Sequence, residues 1–231
     1  MDNLKLISLG ALLLSLLGGA FESSSLLAAA FVTTSGLLVY RCFEFGYPPI
    51  FDGFDTLLLF VITFLGVAHI LKVDKRFTGF LSAIFLFPLL FMPTRVSEIP
   101  PVIRTPLFFL HVGSAILSYA LFISAGIVSI WSQVTKKEIE SLNPVRWGVA
   151  LFTLSLFFGT LWAFLSWGEL FMVEPKSLFS LFFWFFSLFV LHSAFDDKLK
   201  NYLNWLIFLN ALIVVFLFLG VNFIFGGTHA F

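Results

Sequence analysis

Four histidines, His69, His111, His192 and His229, are the only imidazoles in 231 residues, and each falls within or just beyond a long apolar run. A neutral imidazole in such a setting can act as an axial ligand to haem iron, as part of a proton path, or as a hydrogen-bonding group between helices. Zinc is disfavoured, because Cys42 is the single cysteine and no H-E-x-x-H pair occurs. Between haem ligation, a proton relay and a helix-to-helix hydrogen bond, spacing alone does not choose.

The elements that must position these side chains follow from composition. The chain is 60% hydrophobic, 19% aromatic with 34 Phe, and only 11% charged. Soluble domains carry about 25% charged residues, so this chain lacks the polar surface to coat a globule in water. A soluble enzyme, a disordered chain and a disulfide scaffold are excluded. Thirteen basic and thirteen acidic residues balance, so no basic face argues for nucleic acid. The remaining class is an all-α polytopic membrane bundle, with the lipid bilayer as its first partner.

A spanning helix needs roughly 20 predominantly apolar residues, and backbone in lipid must satisfy its own hydrogen bonds. Eight such stretches are expected, near 4–21, 25–41, 54–71, 78–93, 106–131, 147–167, 178–195 and 203–225. The first could pass for a signal peptide, but Asp2 weakens its positive start and no A-x-A site follows. Gly46, Pro48, Pro49 and Gly53 punctuate one loop, and Pro93, Pro100, Pro101 and Pro106 another. With no repeat or linker, residues 1–231 read as a single membrane domain.

Basic residues orient the bundle. Odd-numbered loops carry Lys72, Lys75, Arg76, Lys136, Lys137, Arg146, Lys198 and Lys200, against Lys5, Arg41, Arg95, Arg104 and Lys176 elsewhere. The positive-inside rule then places both termini outside. His111 and His229 fall near the outer surface under that arrangement. His69 and His192 lie about 20 Å deeper, at 1.5 Å per residue, toward the cytoplasmic end.

Residues 159–177 read GTLWAFLSWGELFMVEPKS, an aromatic stretch with Trp162, Trp167 and Phe171 at the outer interface. Tryptophan belts are routine at membrane surfaces. The order of residues is more specific. Trp167-Gly168, Phe171, Val173 and Glu174-Pro175-Lys176 resemble the W-G-x-x-W-x-W-D-P-K haem-handling segment of the cytochrome c assembly family (CcsA/ResC, CcmC and CcmF). Gly159 and Trp162-Ala163 stand where that family has G-x-x-W-A, and His192 closes the next helix as its Y-L-H does. Pro106, His111-Val112, Tyr119-Ala120, Phe122 and Ala125 resemble the helix with the first external histidine. Gly220-Val221-Asn222 and Gly227-Thr228-His229 resemble the G-V-N…G-L-H ending of the CcsA type, and Gly46 to Leu59, with Pro49 and Asp55, an early loop. The likeness covers residues 46–231.

What the resemblance implies is haem b as cofactor. Its external site would use His111 and His229 as axial ligands, with Trp162, Trp167, Phe171 and Glu174 as the platform. An inner site would use His192, its second ligand supplied by a CcsB/ResB-type membrane partner. His69 lies at a depth where it could serve instead, without matching a family motif. The implied function is to move haem to the outer face and present it to the C-x-x-C-H segment of apocytochrome c. The chain would then be a subunit of a cytochrome c synthetase (haem lyase), with no nucleophile of its own, in a bacterial cytoplasmic membrane. Phe171 and Val173 replace two of the segment's tryptophans, and Glu174 its aspartate. Phe keeps an aromatic face, whereas Val loses both that face and the indole N–H. These departures leave a second reading, a HemX-like membrane protein that regulates tetrapyrrole synthesis without ligating haem to protein.

Overall fold

The computed structural model describes residues 3–50, 52–94, 101–136, 141–170, 173–221 and 224. Its helices are α1 (Asn3–Ala20), α2 (Ser24–Phe45), α3 (Gly53–Ile70), α4 (Lys75–Leu86), α5 (Pro106–Thr135), α6 (Leu142–Trp167), α7 (Pro175–Ser193) and α8 (Leu203–Val215). Among the described residues seven helical stretches are long and apolar enough to cross a membrane. The chain is thus a multi-pass, all-helical membrane protein, as its unbroken apolar runs require.

Several helices depart from the lengths read in the sequence, α2 running on to Phe45 and α6 beginning already at Leu142. The run near 78–93 becomes a 12-residue α4 followed by a 3₁₀ turn, Phe87–Leu90. Pro88 has no N–H to give and tightens the chain there. α5 is longer than its apolar core. It starts at Pro106, with the Thr105 side chain accepting from Phe108 N–H, and runs 30 residues to Thr135. α8 passes at Phe216 into a π-helical turn ending at Gly220.

The chain forms two compact units, residues 1–100 and 101–230. In the first, α4 packs on α1 through small residues. A Cβ on Gly79 would lie 2.5 Å from the Gly19 backbone, so only glycine permits this approach. The same unit holds an ion cluster inside its apolar packing. Arg41 on α2 is fully buried, its Nε donating to Asp55 Oδ1 at 3.0 Å and its Nη2 to Asp55 Oδ2 at 2.6 Å. Nη1 donates to the Thr94 carbonyl at 2.7 Å, and the rings of Phe45 and Phe54 flank the guanidinium. α3 begins beneath it, where Asp52 caps the helix by accepting from Asp55 N–H at 2.8 Å.

In the second unit α5 is the central helix, lying against both α6 and α8. A Cβ on Gly126 would meet Ala211 at 2.3 Å, which sets the α5–α8 distance. Phe122, Phe152 and Phe183 interlock edge to face at 5.0 and 5.1 Å, joining α5, α6 and α7. Polar contacts add register. Trp184 Nε1 donates to Thr153 Oγ1 at 2.9 Å between α7 and α6, and Ser187 Oγ to Asn210 Oδ1 at 2.9 Å between α7 and α8.

Candidate functional site

One stripe of α6 builds the site. Gly148, Phe152, Ser155, Gly159 and Trp162 recur at spacings of four and three, so they share the helix face that meets α5. The facing stripe of α5 carries Phe108, His111, Tyr119 and Phe122. Gly159 is the point of closest approach, since a Cβ there would lie 2.6 Å from His111 Nδ1. Glycine at this turn lets the imidazole lie against the backbone of α6.

The histidine is held by three atoms of one residue pair. His111 Nδ1 is 2.9 Å from the Ser155 carbonyl oxygen and 3.1 Å from Ser155 Oγ. Ser155 Oγ in turn donates to the His111 carbonyl at 2.9 Å. A carbonyl oxygen only accepts, so Nδ1 carries a ring proton, and in the neutral ring the lone pair sits at Nε2. This backbone-anchored tautomer is the form a metal-ligating imidazole takes.

An aromatic wall stands beside it. The Trp162 ring lies nearly parallel to the His111 ring, at 12° and 6.4 Å between centroids. Trp162 is itself fixed, its Nε1 donating to the Val102 carbonyl at 2.8 Å and its ring meeting Phe108 at 5.1 Å. Trp167 packs edge-on to Trp162 at 4.7 Å and stays partly exposed. Gly168 then ends α6 in the left-handed conformation, φ 78°. Glu174 stands before α7, whose first residue is Pro175.

His192 sits at the other end of its helix, one residue before α7 stops. Its Nδ1 is 2.8 Å from the Leu188 carbonyl, so it donates from Nδ1 and leaves Nε2 at the outer end of an exposed side chain. The structure therefore brings together His111, Trp162 and Trp167 and leaves His192 apart from them. His69, near the end of α3, belongs to the first unit. His229 and Phe171 lie outside the described residues.

Sequence reading missed the clamp on His111 and the pairing of Arg41 with Asp55. It counted Arg41 among basic residues of the outer side, whereas that residue is buried against α3. An arginine and an aspartate inside consecutive apolar runs were the available signal.

The site is thus a backbone-clamped histidine beside a tryptophan wall, set in a polytopic helical bundle. The family model described as cytochrome C assembly protein matches residues 4–229, and the chain belongs to that family. It is similar to the cytochrome c biogenesis protein CcsA of Amborella trichopoda, 23% identical, with 88% of this chain and 84% of that protein covered. The CcsA protein of Chlamydomonas reinhardtii is 24% identical over 84% of this chain and 64% of its own length. That of Cyanidium caldarium is 22% identical over 78% of this chain and 80% of its own.

Proposed function

We propose that this chain serves cytochrome c biogenesis by holding haem b at the outer face of the membrane and presenting it to apocytochrome c. The observation that carries the reading is the His111 tautomer, fixed by Ser155 with its lone pair at Nε2. The donor set suits haem. A half-buried imidazole with Nδ1 hydrogen-bonded, beside aromatic rings, matches an iron that brings four ligands of its own and a flat apolar ring.

His111 would hold the iron through Nε2, with His229 as a second ligand. Trp162 and Trp167, with Phe171, would form the apolar platform that keeps water from one side. Ser155 would hold the ring orientation throughout. When bound, haem supplies the vinyl groups to which the two cysteine thiols of a C-x-x-C-H segment add. No nucleophile of this chain is required for that addition, and the platform's task is to position.

His192 would hold an inner haem through its exposed Nε2, with a second ligand supplied by a CcsB/ResB-type partner. Both termini would face outward. With Arg41 buried, the basic residues divide eight against four in favour of that orientation. Reporter fusions at Lys136 and Glu174 should read inside and outside respectively.

The test is cytochrome c maturation in cells lacking the native gene. His111→Ala should abolish it, and millimolar imidazole in the medium should restore it by replacing the missing ligand. His192→Ala should lower maturation by cutting supply from the inner side. Maturation unchanged in both variants would overturn the reading.

A further inference from the structure

The first unit contains a cavity of its own. This cavity, of about 390 Å³, opens between α2, the end of α3 and the start of α4. That volume falls in the roughly 300–1,000 Å³ range of small-molecule sites. Leu27, Phe31 and Leu65 line its apolar side, and His69, Lys72 and Lys75 line the other. The cavity is therefore amphipathic, with its basic rim where the helices leave the apolar layer.

The charges around this rim are not evenly spent. Glu22 ion-pairs with Arg76, and Asp74 accepts from Arg76 N–H to cap α4. Both nearby carboxylates are thus engaged. Neither Lys72 nor Lys75 forms an ion pair among the described residues, and the His69 ring makes no hydrogen bond among them; all three are exposed.

The backbone holds one of these charges in place. α3 ends in a motif in which Val73 N–H bonds the Ala68 carbonyl and Lys72 N–H the His69 carbonyl, with Lys72 in the left-handed conformation at φ 54°. Glycine normally fills that position, because a Cβ there costs about 1–2 kcal/mol. The turn after α1 repeats the arrangement with Glu22 at φ 50°, which is the carboxylate that engages Arg76. Two charged residues therefore stand where glycine would be cheaper, one forming the ion pair and one left on the cavity rim.

We infer that this cavity binds an anionic phospholipid, its phosphate held by Lys72 and Lys75 with His69 as a further hydrogen-bond donor, and an acyl chain against Phe31 and Leu65. Basic pockets between membrane helices recognise acidic headgroups in this way, and juxtamembrane lysines draw their strength from the anionic leaflet. The occupant is set by charge complementarity, since a zwitterionic headgroup would bring its own cation to an already basic rim. Bound there, the lipid ties the α1–α2 and α3–α4 turns to the leaflet surface.

The test is native mass spectrometry of the full chain released from nanodiscs of equal parts phosphatidylglycerol and phosphatidylcholine. Wild-type protein should retain phosphatidylglycerol in preference to phosphatidylcholine. Lys72→Gln/Lys75→Gln should weaken that retention by about 30-fold, the loss of two surface-lysine contacts. Ala28→Trp fills the cavity and leaves every charge in place, and it too should lose the lipid; circular dichroism and elution profile verify that both variants fold. No preference for phosphatidylglycerol, or a preference that survives both variants, would overturn the inference. So would haem titrated into the wild type that displaces the lipid and fails to bind His69→Ala, since the cavity would then be a haem site.

Discussion

The ring nitrogen Nδ1 of His111 lies 2.9 Å from the carbonyl oxygen of Ser155, forty-four residues away on the next helix, and this contact fixes which nitrogen can meet a metal. A side-chain acceptor could rotate and release the proton. A backbone carbonyl within an α-helix cannot, so the orientation of His111 is set by how α5 and α6 pack.

Gly159 makes that packing possible, and Gly159→Ala tests it. The added methyl would sit 2.6 Å from Nδ1, closer than any real contact, so the imidazole must move. Overpacking of this kind costs about 1–3 kcal/mol. Thermal unfolding in detergent should fall by several degrees, and haem held at the proposed external site should drop as is expected for His111→Ala. Ser155→Ala should be milder, since the backbone acceptor remains and about 1 kcal/mol of hydroxyl bonding is lost.

Arg41 makes the opposite kind of prediction, one about stability without haem. Removing one partner of a buried pair leaves an uncompensated charge, a loss of about 3–5 kcal/mol. Arg41→Met should therefore strongly destabilise the first unit. Arg41→Met with Asp55→Leu should recover part of that loss, because the fully buried carboxylate goes with its partner and only the partly exposed Asp52 and Glu44 lose their contact with Arg41. Equal destabilisation by the single and double variants, measured by denaturant or heat, would show that the pair's geometry matters more than its charge balance.

Asp52 gives a pH dependence. Burial, with Asp55 beside it, pushes its carboxyl up to about 7, above the range of an exposed aspartate. The native state then holds this proton more tightly than the unfolded chain. Its contribution to stability is full below the unfolded value near 3.9 and is lost as pH rises through about 7. Asp52→Asn keeps the helix cap and cannot ionise. The wild type should match it at acid pH and fall below it between pH 5 and 8, as read by unfolding midpoints. A gap that stays constant over that range would contradict the shift.

The helices were legible because lipid demands long apolar runs, and such runs are one-dimensional information. Their ends were less so. α4 stops at Leu86 because Pro88 follows, although the apolar composition continues beyond it. At the site, His111, Trp162 and Trp167 were legible from their order in the chain. The roles of Ser155 and Gly159 were not, because each acts on a residue of another helix and neither side chain is chemically distinctive. Arg41 was misread for the same reason: its partner Asp55 lies across the loop, on α3.

The most direct test of the proposed haem handling is the absorption spectrum of the full chain purified in detergent from haem-replete cells, alone and with the proposed CcsB/ResB-type partner. A Soret band with the split visible bands of a reduced, six-coordinate b-type haem is expected. The bands should weaken in His111→Ala and return with added imidazole. Wild-type protein that carries no Soret band in either preparation would contradict the account.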